Sequence, residues 1–171
     1  MDANHLRNRE RNRDKQDVRE VVIPREDAVF WLDDRGCWRN AGGKFRKKKI
    51  IDHFHSSISK DENGYFLCQL KGDVFEKVYF PYEDTALFVF DMTFNSAAPC
   101  SKTTLLLNTG QKLNLNPHNL YIKNDCLYLN DGRDIIKFSE RALIKISGCF
   151  EEISGHLYVN IDGDCRLVPE D

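Results

Sequence analysis

Residues 28–70 read AVFWLDDRGCWRNAGGKFRKKKIIDHFHSSISKDENGYFLCQL, and this stretch decides the fold. Short aromatic and β-branched runs are separated by the turn residues of Asp33–Gly36 and Asn40–Gly43, which predicts a hairpin. Between residues 44 and 59 the apolar side chains recur instead at helical spacing, at Ile50, Ile51, Phe54 and Ile58. The stretch therefore predicts a hairpin, a short amphipathic helix and a second hairpin.

A similar order of elements is expected later in the chain. Val29–Asp34 can be aligned with Leu120–Asp125, and Gly72 then meets Gly163 after a small change of length. The second helix, with Ser139 as its N-cap, presents one apolar side: Ala142, Leu143, Ile146, Cys149, Phe150 and Ile153. The predicted fold class is α+β, with mostly antiparallel strands, two short amphipathic helices and two pseudo-repeated hairpin-helix-hairpin units.

The length of 171 residues fits one domain or one body built from two similar halves. We expect a disordered charged tail at residues 1–20, where charges of both signs alternate with little to bury. A first α+β unit is expected at residues 21–92, and a second at 93–171, including connecting strands. A nucleic-acid-binding arm is the alternative for the tail, but its interspersed acids cancel most of the field.

Composition and charge exclude several classes of function. Hydrophobic residues make up 41% of the chain and charged residues 30%, which predicts a soluble globular protein. The net charge of −2 provides no general attraction to nucleic acid or to an anionic membrane, so neither is an expected partner. The apolar run Ala86–Phe90 is far shorter than the roughly 20 residues that span a bilayer. No secretory signal is visible at the N-terminus, and we therefore expect a cytoplasmic location.

The spacing of the cysteines argues against a metal site, and the absence of known catalytic motifs argues against a cofactor. The six cysteines form no C-x-x-C pair and no cluster with histidine: Cys37, Cys68, Cys100, Cys126, Cys149 and Cys165. Three disulfides are one possibility, but without an export signal we expect reduced, mostly buried thiols. The sequence contains no phosphate loop, dinucleotide fingerprint or nucleophile elbow, so no cofactor is predicted and an enzyme is the less favoured class.

The densest charge feature is the basic segment, residues 44–49, in which five of six side chains are cationic. Cations at the start of a helix oppose its macrodipole, and this cost requires a reason. One reason is recognition of an anionic small molecule or an acidic protein surface, with aromatic walls nearby. The other interpretation is a solvated face without a ligand. The candidate ligand-binding residues are Arg46, Lys47, Lys48, Lys49, Trp38 and Tyr82, with Tyr79 as a further aromatic neighbour.

Two other classes of function stay open. An enzyme could use Glu83, Asp84 or His118 in a pocket between the two predicted units, although the adjacent acids are expected to accept backbone hydrogen bonds in a turn. No catalytic residue is therefore assigned. His53 and His55 lie on different sides of a helix, cannot chelate one metal ion, and are expected at the surface. The third class is a homo-oligomeric assembly protein, such as a homodimer joined through edge strands.

Four stretches between about residues 28 and 125 resemble a family of small, uncharacterised bacterial proteins, the domain of unknown function twelve-eighty-five. They are Phe30-Trp31-Leu32 with Gly36-x-Trp38, Gly64-Tyr65-x-Leu67, Tyr82-Glu83-Asp84-x-x-Leu87-Phe88-Val89, and Asn108-Thr109-Gly110-Gln111 with Asn116-Pro117-His118-x-Leu120. The chain departs from the family pattern after about Asp125. The resemblance implies a two-part α+β fold and a signalling or ligand-binding role, without an established activity or a catalytic residue. The predicted function is a cytoplasmic binding or regulatory module.

Overall fold

The computed structural model describes residues 19–94 and 100–171 of the chain. The predicted tail therefore lies outside the described residues, except for Arg19 and Glu20, which begin the first strand.

Most of the regular structure is strand. The helices are α1 (Lys48–Ser56) and α2 (Glu140–Ile146). The strands that precede α1 or follow it as far as residue 93 are β1 (Arg19–Ile23), β2 (Phe30–Leu32), β3 (Trp38–Asn40), β4 (Gly43–Lys44), β5 (Ile58–Asp61), β6 (Gly64–Lys71), β7 (Val74–Tyr79) and β8 (Leu87–Thr93). The later strands are β9 (Thr104–Leu107), β10 (Lys112–Asn114), β11 (Leu120–Lys123), β12 (Cys126–Asn130), β13 (Ile135–Phe138), β14 (Phe150–Ile153), β15 (His156–Ile161) and β16 (Asp164–Leu167).

The first of two compact units contains the described residues 19–28 and 57–81. Its sheet has the strand order β1-β7-β6-β5, in which β1 runs parallel to β7 and the other neighbours are antiparallel. Leu67 in β6 and Phe80 directly after β7 are fully buried.

The second unit contains residues 29–56, 82–94 and 100–171. Its largest sheet has the order β10-β9-β8-β13-β12-β11, and two three-stranded sheets are formed by β2-β3-β4 and β14-β15-β16. Strand β8 lies inside the large sheet and its residues Leu87, Phe88 and Val89 are buried, as the continuous apolar run predicts. Helix α2 packs against β8 and β13.

The predicted α+β class, with sheets rich in antiparallel pairs and two helices, is confirmed. The order of three strands, a helix and three strands occurs twice, but the segments aligned by sequence are paired differently. Strand β2 belongs to a three-stranded sheet, whereas β11 is the edge of a six-stranded sheet because β13 pairs with β8. The pseudo-repeat therefore stays a prediction. The two compact units differ from the predicted units, which meet at residue 92. Strand β1 pairs with β7, so residues 19–28 belong to the same compact unit as residues 57–81.

Both helices are shorter than predicted. Helix α1 begins at Lys48 and not at Lys44, because Lys44 pairs with Arg39 in β4. Helix α2 begins as predicted, with the Ser139 hydroxyl accepting a hydrogen bond from the backbone N of Ala142 at 3.3 Å. It ends at Ile146, and a 3-10 turn and β14 follow where the apolar side was expected to continue.

The expectation that all cysteines are reduced is wrong for one pair. Cys100 and Cys149 form a disulfide across 49 positions of sequence, and both side chains are buried. Cys37, Cys68, Cys126 and Cys165 carry free thiols. The sequence could not identify this pair, because a separation of that length has no local pattern.

Candidate functional site

The basic segment is held at both ends by regular structure. At its start, Lys44 pairs with Arg39 in the β3-β4 ladder. The backbone N of Phe45 then donates to the carbonyl of Trp38 at 2.9 Å, and Lys48 begins α1. Three residues, Phe45, Arg46 and Lys47, therefore connect the strand to the helix, and the backbone on both sides fixes the position of the cations.

An aromatic cluster anchors the segment from the interior. The ring of Phe45 packs on Phe54 of α1 with centroids 5.4 Å apart, and Phe54 meets the edge of Trp38 at 5.3 Å. Only 1% of Trp38 is exposed. Trp38 thus supports the basic segment from the core and does not face a ligand, in contrast to its predicted role as an aromatic wall.

The charges of the basic segment point to solvent. All five cationic residues are exposed, and Lys48 forms an ion pair of 2.5 Å with Asp52 one turn later in α1. Among the described residues no ion pair involves Lys44, Arg46, Lys47 or Lys49. An exposed pair such as Lys48–Asp52 contributes at most about 1 kcal/mol. Four unpaired cations within six residues therefore leave a local positive field on a chain whose net charge is −2.

A cavity of about 470 Å³ opens beside the segment and shares Lys44 with it. We call this space the basic cavity. Three apolar side chains, Phe88, Phe138 and Leu143, form part of its wall. Its other cationic residues are Arg35, Lys137 and Arg141. Two acids, Asp34 and Glu140, also line the cavity, so its four cations belong to a rim of mixed charge beside the apolar residues.

Most cations of the basic cavity already have acidic partners. Lys137 Nζ lies 2.7 Å from a carboxylate oxygen of Asp84, and Arg141 lies 2.9 Å from Asp91. Burial opposes the charge of Lys137, but the hydrogen bond to Asp84 and the negative charge of Asp84 act together with smaller contributions to raise the pKa of the amine. Among the described cations of the cavity lining, Lys44 is therefore the one that has no acidic partner.

Both carboxylates proposed for catalysis act as hydrogen-bond acceptors that join separate elements. Glu83 accepts from the indole Nε1 of Trp31 at 3.1 Å and from the backbone N of Asp34 at 3.2 Å. Asp84 accepts from Lys137 and from the hydroxyl of Tyr128 at 2.7 Å. Burial is the largest cause that raises the pKa of Tyr128 to about 12, and the hydrogen bond to Asp84 is the second.

None of the remaining predicted residues belongs to the lining of the basic cavity. Tyr82 is half-buried and forms a parallel bridge with Leu32, and it is not part of the cavity lining. Tyr79 belongs to the first unit, where its hydroxyl donates to Asp61 at 2.7 Å. His118 is exposed in a 3-10 turn, and no hydrogen bond between described residues joins it to Glu83 or Asp84. Within 19–94 and 100–171 no three potential metal-binding side chains cluster.

His55 is buried, contrary to the expected surface position. Only 4% of the residue is exposed, and its Nδ1 lies 3.3 Å from Nδ2 of Asn108. Because that amide nitrogen is a donor, Nδ1 accepts and Nε2 carries the proton. Burial lowers the pKa of His55 to about 4. His55 is thus a neutral residue of the core.

Three residues of the cavity rim were not predicted from the sequence: Arg35, Lys137 and Arg141. Arg35 comes from a turn and is distant in the sequence from Lys137 of β13 and Arg141 of α2. Each is a single cation in an ordinary surface pattern, and no local signal marks it. The pairing of β13 with β8 is what brings Lys137 beside Phe88.

Fold and site together define an α+β protein with an exposed basic segment beside a partly apolar cavity. Its fold is that of a DUF1285 family protein from Silicibacter pomeroyi DSS-3, with a TM-score of 0.58, 13% identity, and coverage of 87% of this chain and 82% of that one. The likeness confirms, for the fold, the family resemblance predicted from the sequence. A DUF1285 family protein from Shewanella baltica OS155 matches with a TM-score of 0.44 and 21% identity, over 66% of this chain and 84% of that one. No family model matches the chain, and no curated protein does.

No helix among the described residues is long and apolar enough to cross a membrane.

Proposed function

We propose that this protein is a binding module that captures an anionic small molecule at the basic segment, with the body of the ligand in the basic cavity. The observation that supports this most directly is the position of Lys44, which belongs both to the unpaired cations and to the cavity rim. A ligand there would meet positive charge on one side and the half-buried side chain of Leu143 on the other.

The chemistry of the segment favours a multivalent anion such as a phosphate ester. Lysine acts as a mobile point charge toward phosphate oxygens, whereas Arg46 can donate two parallel hydrogen bonds. A compact ligand can use four neighbouring cations at once. Long nucleic acid would also meet the acidic remainder of a chain of net charge −2.

The regulatory or signalling role and the cytoplasmic location belong to the same proposal, and the resemblance stated above supports the first. The Cys100–Cys149 disulfide argues against the second, because disulfides are rare in reducing compartments. The structure gives less support to an enzyme, since Glu83 and Asp84 are both engaged as hydrogen-bond acceptors. An acidic protein surface is the other ligand class that the exposed basic segment would suit.

A thermal-shift screen with nucleotides, phosphosugars and acidic metabolites tests the proposal. A ligand at 100 times its Kd stabilises the folded state by about 2.7 kcal/mol, which such a screen resolves. We expect at least one anion to raise the Tm of the wild type, and the variant R46S/K47S/K48S/K49S to lose the shift. Lys112→Ser, which removes an exposed cation from β10, is the matched control and should keep the shift. An equal shift in the quadruple variant would refute this site.

A further inference from the structure

A second depression of about 570 Å³ lies in the same unit and differs from the basic cavity in charge. We call it the acidic groove. Its apolar residues come from four strands and α2: Ile122, Leu127, Leu143, Phe150 and Leu157. Three acids, Asp125, Glu152 and Glu170, also line it, and all three are exposed. In the described part of the chain neither lysine nor arginine belongs to this lining.

The acidic groove and the basic cavity are neighbours. Leu143 and Cys126 line both of them and therefore form their common boundary. Helix α2 crosses this boundary, since Arg141 near its start lines the cavity and Ser147 directly after its end lines the groove. Next to Leu143, the side chain of Ile144 is exposed, with 76% of the residue accessible to solvent.

A surface with positive charge on one side of a boundary and negative charge on the other is complementary to itself. A two-fold axis through the boundary exchanges the two sides, so each basic side meets the acidic side of the other copy. Such a contact is closed, because both copies use the same surface and none is left for a third copy. Depletion of charge at the centre and charge at the rim are also typical of specific interfaces.

We propose that a second copy of this chain docks on this face, with the two-fold axis at the boundary formed by Leu143 and Cys126. The acids Glu152 and Glu170 of each protomer then face the basic segment and Lys44 of its partner. Charge complementarity identifies the occupant. The acids of the acidic groove require a cationic partner surface, and the unpaired cations of the basic segment on a second copy of the chain provide one. Leu143, which lines both depressions, supplies apolar area at the centre.

The dimer goes beyond the proposed function and does not require it. The two are nevertheless linked, because an anion at the basic segment and the acids of the partner would use the same cations. Binding of one therefore weakens binding of the other by the same factor. The module would release its second copy when the anion is captured.

Sedimentation velocity over a range of concentrations tests the dimer. We expect the wild type to approach the mass of two chains and not exceed it. The variants E152K/E170K and K44E/K47E should each raise the dimer Kd at least about tenfold, because like charges then face each other. Mixed in equal amounts, they should dimerise again, since each reversed surface now meets a complementary one. Lys112→Glu, a charge reversal of the same kind elsewhere in the unit, should leave the Kd unchanged.

Several results would overturn the inference. These are a wild type that stays monomeric, a mass that grows beyond two chains, or a mixture that fails to dimerise although circular dichroism shows both variants folded. If a variant does not fold, salt decides on the wild type alone: raising NaCl from about 0.05 to about 0.5 M should weaken the dimer at least about tenfold. Insensitivity to salt contradicts the charge contact. The thermal shift of the wild type with anions is measured separately, so failure of the dimer does not count against anion binding.

Discussion

Among single residues, His55 is the one whose burial has a direct consequence for stability. Its ring contacts the side-chain amide of Asn108. The orientation of this amide is fixed, because its Oδ1 accepts from the backbone N of Phe88 and its Nδ2 donates to the carbonyl of Ala86. A proton on Nδ1 would place two donors against each other. Burial is the main cause that lowers the pKa of His55 to about 4.

This shift predicts that stability declines in mild acid. An unfolded chain binds a proton at His55 below about pH 6.5, whereas the folded protein does so only near pH 4. The contribution of His55 to the free energy of unfolding should therefore be fully present above pH 6.5. The free energy should fall by up to about 3 kcal/mol as the pH drops to about 4. Urea unfolding at several pH values measures this decline, and His55→Gln should remove that part of it. The exposed His156→Gln is the control. Parallel profiles for His55→Gln and the wild type would show that His55 does not cause the decline.

Gly36 is the glycine whose replacement should cost most. Its φ is +75°, and a Cβ at this position would lie 3.0 Å from the fully buried ring of Phe88. Gly36→Ala combines backbone strain with overpacking, and we expect a loss of about 2–4 kcal/mol of unfolding free energy. Gly163→Ala is the matched control, because its φ is +82° but its Cβ would meet open space, and it should lose only about 1 kcal/mol. Chemical denaturation compares the two, and equal losses would show that the contact with Phe88 has no effect.

Among the elements, α2 gives the clearest test of a local signal. The Ser139 hydroxyl accepts from the backbone N of Ala142, so Ser139→Ala should lower the unfolding free energy by about 1 kcal/mol. Ser139→Asp keeps an acceptor at the N-cap and should retain most of the stability. Thermal unfolding of both variants measures the difference. A loss as large for aspartate as for alanine would mean that the cap does not act through this hydrogen bond.

Local signals of this kind were predictable from the sequence, and long-range pairing was not. The hydroxyl before an apolar run identified the start of α2, and the Gly163 turn identified the hairpin of β15 and β16. Nothing local shows that Arg19–Ile23 pairs in parallel with β7, or that Gly43–Lys44 joins β3 and delays α1. The apolar residues after Ile146 fit either a helix or a strand until the sheet partner of β14 is known.

The candidate site shows the same division. The basic segment is contiguous, so its residues could be named from the sequence alone. The role of Trp38 could not, because β3 and α1 together enclose its ring. The other cations of the basic cavity depend on the parallel pairing of β13 with β8.

In the molecule as a whole, the Cys100–Cys149 disulfide closes a loop of 49 positions. A cross-link of that length stabilises by about 4 kcal/mol in the chain-entropy estimate. We expect Cys149→Ala to lower the unfolding free energy by about 2–4 kcal/mol without reductant. A reductant should bring the wild type close to the variant. Cys165→Ala removes an exposed free thiol and serves as control, and a wild type that is indifferent to reductant would contradict the disulfide.

Anion capture at the basic segment is most directly tested by two-dimensional ¹H–¹⁵N NMR spectra of the wild type, titrated with inorganic tripolyphosphate as a compact polyanion. We expect saturable shifts concentrated at residues 44–52 and at the cavity residues Arg35 and Arg141. R46S/K47S/K48S/K49S should lose them, and Lys112→Ser should keep them. Shifts that cluster on another surface, or that persist unchanged in the quadruple variant, would contradict anion capture at the basic segment.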